Sequence, residues 1–592
     1  MGITGSDSKI LHSNSRIWEI KTPQAELCRK FCKELNISNR LATILINRGI
    51  NDLDQAGRFL EPSLHNLPDP YLLTGMEKAV ERLTLAFRRK EKIAVFGDYD
   101  MDGISATAIL VDYLRRAGFT QVKFSIPSRL SDGYGLNKQA LTCAGKSGAT
   151  LALTVDNGIS NIEEILTAKD LGIDVIVTDH HQIPEELPQA FAIINPHLPG
   201  CAYPDKNLAG VGVAFNLMMA LRKRLRESGL AADVNLLQYL DLVALGTVAD
   251  VMPLTGVNRI FVSFGLKEIN KTCRLGMLYL LSAAGIKRDE PISARDLAFK
   301  LAPRVNAVGR VADAKIAVEL FLTRDKAIAL RNVQTLEECN ERRRQLEKDI
   351  KSEVDAMLKN DASLAAAKLI LLASENWHPG VVGIVSSRVA ETYAKPVILI
   401  AMENGIGRGS GRSVPGLNLA AVLDQCQDHL IRYGGHEQAV GLTVAAESIA
   451  KLREEIENYL TNSTPGETEV PRLLLDGILQ PDEINRKLLA ELKVLHPLGY
   501  GNPEPMFLLE TTEVTKVIPM GSSDRRHLKF TFSDSKDRRK RFAGIYFNFK
   551  GTPPKNGETL DLVCTPEENI WRGRSEIRAN LTDLRISDGE NS

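Results

Sequence analysis

Residues 92–105 read KIAVFGDYDMDGIS. Lys92 to Phe96 is a short apolar, partly β-branched run closed by Gly97, which predicts a buried strand, and Ile104 to Ala117 has the pattern of the helix that follows. Between them stand Asp98, Asp100 and Asp102 at alternate positions. In an open α/β sheet, ligands bind beyond the carboxyl ends of the strands. Three acids gathered there repel one another unless a cation lies among them, and hard divalent ions take carboxylate oxygens as ligands. The competing reading is a polar turn that caps the next helix, which Asp102 before Gly103 can supply alone.

The same punctuation recurs downstream. A strand over Thr150 to Val155 ends in Asp156-Asn157-Gly158, and one over Asp174 to Thr178 ends in Asp179-His180-His181. Helix-like segments follow each, Ser160 to Leu171 and Pro184 onward. Repeated strand and crossover helix places all three strand ends on one edge of a parallel sheet. A fourth acid, Asp250, sits in LVALGTVADVMPL after a long helical region. A lone His is more often a hydrogen-bonded structural residue. Here two adjacent ones stand at a strand end beside Asp179, in a chain holding only 10 His.

Composition bounds the answer without choosing it. At 592 residues with 44% hydrophobic, the chain has room for several domains with substantial cores. Basic and acidic residues balance at 74 each, so no global field advertises a polyanionic partner, although a local basic path remains compatible with acids concentrated elsewhere. The eight Cys form no CxxC pair, which argues against a zinc ribbon and for a reducing compartment. MGITGSDSKI has no apolar signal core and no stretch approaches a membrane span, so a soluble, cytoplasmic protein is expected.

Five regions are expected along the chain. Residues 1–75 read as a polar start followed by a largely helical N-terminal region, with AELCRKFCKEL and SNRLATILINRG as helical patterns. Residues 76–290 form a first α/β domain, which includes a strand over Val122 to Ile126 with Arg129 in the loop after it. Residues 291–365 connect. There RVNAVGR offers Arg304, Asn306 and Arg310 for bidentate contacts to a substrate backbone, and NERRRQLEKDIKSEVDAM reads as a solvent-laced bridging helix. Residues 366–465 form a second α/β domain. Its GRGSGRS segment is either a flexible turn or a loop whose glycines admit an anion to Arg408, Ser410 and Arg412; YGGHEQAVG places His436 on a tight turn of Gly434 and Gly435. Residues 470–588 change to short alternating runs, which suggests an OB-like barrel. Arg525, Arg526, Lys529, Arg538, Arg539, Lys540 and Arg541 with Phe530, Phe532, Tyr546, Phe547, Phe549 and Trp571 give it both ingredients of single-strand binding, although the alternation requires many of the aromatics for the core.

GDYDMDG, VDNG, VTDHH and VADVMPL resemble the four motifs of the DHH phosphoesterase superfamily, and their setting resembles the RecJ single-strand-specific exonucleases. The resemblance runs from Trp18 through RGI, FLEP and DPYLL, across the four motifs, to RVNAVGR, WHPGVVGIVSSR, GRGSGRS and YGGHEQAVGL. It implies two divalent cations, Mn2+ or Mg2+, that share Asp156, with Asp100, Asp102, His180 and Asp250 completing the set. His181 would stabilise developing charge or assist the leaving oxygen, and Asp98 would orient ligands or waters. It places Arg129 near substrate phosphates, has Ser410 and Arg412 grip a terminal 5′ phosphate beside His436, and packs the N-terminal region on the catalytic domain. The activity implied is stepwise removal of 5′ mononucleotides from single-stranded DNA by a monomer in repair and recombination, with a RecQ-type helicase and a single-strand-binding protein as candidate partners. Two other readings stay open. One is a DHH phosphodiesterase for small substrates such as cyclic dinucleotides, against which the C-terminal barrel counts; the other is a non-catalytic scaffold, against which the full set of acids counts.

Overall fold

The structure, a computed structural model, describes residues 8–12, 16–129, 135–230, 233–462, 472–521, 527–534, 540–571 and 574–587. The chain forms two compact units. One gathers 1–67, 253–260 and 470–592; the other holds 68–252 and 261–469.

In the second of these, a five-stranded parallel sheet runs in the order Val122–Ser125, Lys92–Phe96, Ala149–Val155, Asp174–Thr178, Ala192–Ile194. Apart from Lys92 and Thr150 near their starts, its central strands are buried because both faces are covered. The crossover helix Met101–Ala117 is buried over nearly its whole length. It starts earlier than the sequence pattern suggests, because Asp100 is its N-cap and accepts from the Asp102 and Gly103 amides at 3.0 and 3.1 Å. The expected helix from Pro184 onward is absent. Pro184 and Pro188 fall in a loop that leads directly to Ala192–Ile194, and the helix follows only at Gly210–Glu227. The bridging segment is two helices, Lys315–Leu322 and the 35-residue Lys326–Asn360, separated where Asp325 caps the second.

The second α/β domain has the sheet order Arg432–His436, Ala439–Ala445, Ile406–Arg412, Val397–Glu403, Ile370–Ser374, with only the last two strands parallel. GRGSGRS is therefore the middle strand of a sheet and not a turn. A Cβ at Gly407, Gly409 or Gly411 would lie 2.5 Å from Ile400, 2.8 Å from Leu442 or 2.6 Å from Val440, so the glycine face presses on the core. Strand alternation turns Arg408, Ser410 and Arg412 to the other face, where helix Val382–Tyr393 packs. Gly434 and Gly435 likewise lie in the edge strand; the turn itself is Glu437-Gln438.

The remaining unit joins the two ends of the chain. Ile17–Lys21 pairs antiparallel with Ser8–His12 and parallel with Arg472–Leu475. Helices Ala25–Leu35, Asn39–Asn47 and Leu53–Leu60 share one core with the barrel, in which Phe31, Ile44 and Leu45 are buried with Phe507, Phe530 and Phe532. The buried Trp18 donates from Nε1 to Asp583 at 2.9 Å. The N-terminal region up to Leu67 thus forms one compact unit with the barrel. Phe507–Met520 pairs with both His527–Asp534 and Thr559–Trp571, and Arg541–Tyr546 runs parallel to Arg574–Ile586, which closes an OB-type barrel. Phe530 and Phe532 are core; Phe547 is exposed. Arg525, Arg526, Arg538, Arg539 and the Trp571 side chain lie outside the described residues. All eight cysteines are free, and among the described residues no helix is long and apolar enough to cross a membrane.

Candidate metal centre

The sheet edge gathers its acids and imidazoles as the alternation of strand and helix requires. Asp98 and Asp100 follow Lys92–Phe96, Asp102 sits in the first turn of the next helix, Asp156 follows Ala149–Val155, and His180 follows Asp174–Thr178. Asp250 arrives as the C-cap of helix Leu240–Ala249. His180 Nε2 lies 3.1 Å from Asp156 Oδ1, 3.6 Å from Asp250 Oδ2 and 3.9 Å from Asp102 Oδ2. Within 4.8 Å of one another stand ligand atoms of Asp98, Asp100 and Asp156, of Asp102, His180 and Asp250, and of Asp156, His180 and His181. Asp156 belongs to two of these groups and holds a left-handed φ of 63°, a conformation that costs a non-glycine residue free energy.

The electrostatics ask for cations. Burial, then the Asp100 charge, pushes the Asp102 carboxyl up to about 7; burial, then Asp102, pushes Asp250 up to about 8. Asp98 and Asp156 are raised well above the ordinary carboxylate range, chiefly by burial. Burial and then the neighbouring His181 lower His180 to about 4, so it presents a neutral ring. The buried atoms Asp98 Oδ1 and His180 Nε2 have no hydrogen-bond partner among the described residues. Carboxylate oxygens with one or two imidazoles, in two groups that share an acid, suit a pair of Mn2+ or Mg2+ ions.

Several contacts that hold this arrangement were not foreseen from the sequence. The N-terminus of helix Gly210–Glu227 grips Asp102, with the Gly210 amide on Oδ2 at 2.6 Å and the Val211 amide on Oδ1 at 2.9 Å. Gly210 is needed there, since its Cβ would lie 2.6 Å from Asp156. Asp179 accepts from the amides of Ile159, His180 and His181 and pairs with His181 Nδ1 at 2.7 Å. Burial opposes charge on His181, but the hydrogen bond and charge of Asp179 outweigh it and carry the ring up to about 9. His181 therefore stands as an imidazolium at the mouth of the site. Asn306 accepts the Met101 amide at 2.7 Å, the one first-turn donor that Asp100 leaves over. Beside it Gly309 lets its helix approach the Tyr99 carbonyl, to which a Cβ would come within 2.4 Å.

Comparison with known proteins follows the same division of the chain. The profile of the DHH family, N-terminal domain, matches residues 92–247, that of the DHHA1 domain residues 361–462, and that of the RecJ OB domain residues 475–583. The single-stranded-DNA-specific exonuclease RecJ of Bacillus subtilis is 34% identical over 96% of this chain and 71% of its own. That of Dickeya dadantii is 39% identical over 94% of this chain and 99% of its own. The chain belongs to the RecJ family. The crystal structure of RecJ in complex with Mn2+ from Thermus thermophilus matches 97% of this chain and 80% of that one with a TM-score of 0.81 at 31% identity, and the Mg2+ complex gives 0.75.

The other residues expected to touch substrate in this RecJ-family chain are only partly brought together. Arg129 lies over the Tyr99 ring at 5.0 Å, and its charge, after burial, lowers both Arg310, to about 10, and Arg412. Two guanidinium groups that each stand within electrostatic reach of Arg129 make a place for an anion. Arg412 donates from Nε to Ser387 at 3.0 Å and from Nη1 to Ser410 at 3.2 Å; Ser387 was not foreseen. Arg310 also donates to the Gly380 carbonyl at 3.1 Å. Arg304 is committed elsewhere, to Glu337 at 2.5 Å and the Lys300 carbonyl at 2.6 Å, and Asn306 serves Met101. Arg408 lines a separate cavity of about 530 Å³ with Trp377, His378 and Glu403. His436 shares a cross-strand row with Arg412 through Ala439, while Gly434 and Gly435 supply backbone alone.

Proposed function

We propose that this protein is a metal-dependent, single-stranded-DNA-specific exonuclease that works from 5′ to 3′ and releases 5′ mononucleotides, in DNA repair and recombination. The observation that carries the reading is the pair of donor groups that share Asp156 on a sheet edge beside three guanidinium groups. Asp98, Asp100 and Asp156 would hold one ion and Asp102, His180 and Asp250 the other, with Asp156 Oδ1, 3.1 Å from His180 Nε2, in reach of both. When bound, such a pair supplies a nucleophilic water at neutral pH and offsets charge on the phosphoryl oxygens.

The chain's own groups do the rest. His181, held as an imidazolium by Asp179, donates to a phosphoryl or departing oxygen at the mouth of the centre. Tyr99 and Arg129 flank Asp98, so a backbone phosphate next to the scissile bond meets a fixed cation. Arg412, aligned by Ser387 and Ser410, takes the terminal 5′ phosphate, which sets how far the scissile bond lies from the strand end. The barrel's aromatic and basic residues follow the strand. Strands opened by a RecQ-type helicase and covered by a single-strand-binding protein in the cytoplasm are the setting that the family resemblance supports.

The test compares release from 5′-phosphorylated and 5′-hydroxyl strands by the wild type and Arg412→Ala. The wild type is expected to prefer the phosphorylated end at least tenfold and the variant to lose most of that preference, while the rate on 5′-hydroxyl strands changes little. An unchanged preference places the phosphate elsewhere.

A further inference from the structure

A second cavity, of about 510 Å³, opens at the far end of the helix that carries Asp102. Arg116 lies on its rim, fourteen residues along that helix from Asp102, about 21 Å at 1.5 Å per residue. The cavity therefore shares nothing with the metal centre. Its floor is Arg274, whose side chain is only 10% exposed. Arg274 Nε donates to the fully buried Asp241 at 3.2 Å and Nη1 to the Phe321 carbonyl at 2.9 Å, with the Tyr239 ring alongside. These two bonds leave part of the guanidinium fork over, and Arg274 is among the residues that line the cavity.

The rim adds three more cations. Arg116 is paired to Asp112 at 2.8 Å, and Lys271 reaches Glu268 only at 3.8 Å; Arg324 is exposed and meets no acid among the described residues. Four cations thus stand against the three acids Asp112, Asp241 and Glu268. A buried arginine costs free energy to desolvate, and a guanidinium in the lining of a cavity with further cations around it suits an oxyanion. The volume lies within the range of small-molecule sites and exceeds what an inorganic anion fills.

We propose that this cavity is an anion site that takes the phosphate of a small phosphorylated molecule of nucleotide size, held by Arg274 from below and by Lys271, Arg324 and Arg116 at the rim. The phosphate adds acceptors for the Arg274 guanidinium and supplies the anionic partner that Arg324 lacks among the described residues. Arg324 immediately precedes Asp325, the N-cap of helix Lys326–Asn360, and Arg274 precedes helix Leu275–Ala283. Occupancy therefore fixes the start of the long helix that leads to the second α/β domain, and so couples a small-molecule signal to the nuclease body.

The experiment is calorimetric titration of the full-length protein, freed of divalent ions and carrying Asp156→Ala and Arg412→Ala so that the metal centre and its neighbouring phosphate position do not contribute. Inorganic pyrophosphate, dAMP and citrate are the probes. One site per chain is expected for pyrophosphate or dAMP, at least tenfold tighter than for citrate. Adding Lys271→Ala and Arg324→Ala, both exposed and free of structural hydrogen bonds, is expected to weaken it at least tenfold. The same two changes in the otherwise wild-type chain should leave digestion of single-stranded DNA unaltered. Absence of binding at millimolar concentration, binding that ignores Lys271 and Arg324, or citrate bound as tightly as pyrophosphate each overturns the assignment.

Discussion

Asn306, expected from the sequence to contact the substrate backbone, has a role within the fold that the sequence did not reveal. Its side-chain oxygen completes the amide accounting of the turn that carries Asp100 and Asp102, since Asp100 takes the Asp102 and Gly103 donors and Asn306 takes Met101. Removing a group that orients ligands typically costs 10–100-fold in metal affinity or activity. Asn306→Leu is therefore expected to raise the Mn2+ concentration for half-maximal activity by about that factor, and Asn306→Asp, which keeps an acceptor, to restore most of it. Equal Mn2+ requirements for wild type and Asn306→Leu would reduce the contact to packing. The acids of the centre were legible because few structural uses exist for unpaired carboxylates at strand ends. Asn306, Asp179 and Gly210 were not, because a residue that serves the backbone of a distant motif leaves no local pattern.

At the scale of elements, the parallel sheet was readable from its apolar runs and their Asp and His endings, and the break at Pro184 was there to be read as well. GRGSGRS misled because glycine at every second position has the composition of a turn while its spacing has period two. The structure makes a quantitative distinction between its glycines. A Cβ at Gly411 would meet Val440 at 2.6 Å and Leu419 at 2.8 Å, whereas one at Gly434 in the edge strand meets nothing within 4 Å. Gly411→Ala is expected to cost about 1–3 kcal/mol by overpacking, and Gly434→Ala to change stability by less than about 0.5 kcal/mol. Denaturant unfolding that found the two equal would return the segment to a mobile turn.

At the scale of the molecule, the N-terminal region and the C-terminal barrel are one body, built from pairings such as Trp18 with Asp583 and Ile17–Lys21 with Arg472–Leu475. Contacts between residues so far apart in the chain have no signature in either local sequence, which is why the shared core of the N-terminal region and the barrel was not foreseen. A chain ended at Asn462 leaves Phe31, Ile44 and Leu45 without the barrel side of their core. Limited proteolysis of it is expected to remove residues 1–67 rapidly while the α/β body persists, and a protected N-terminal region would contradict the shared core. The centre itself rests on Asp156, and the most direct test is time-resolved digestion of single- and double-stranded DNA labelled at either end, with Mn2+, by the wild type and Asp156→Ala. Mononucleotides released from the 5′ end of single strands only, and absent with a correctly folded Asp156→Ala, are the expected result; release by that variant at the wild-type rate, or no digestion by either, would contradict a two-ion exonuclease centred on Asp156.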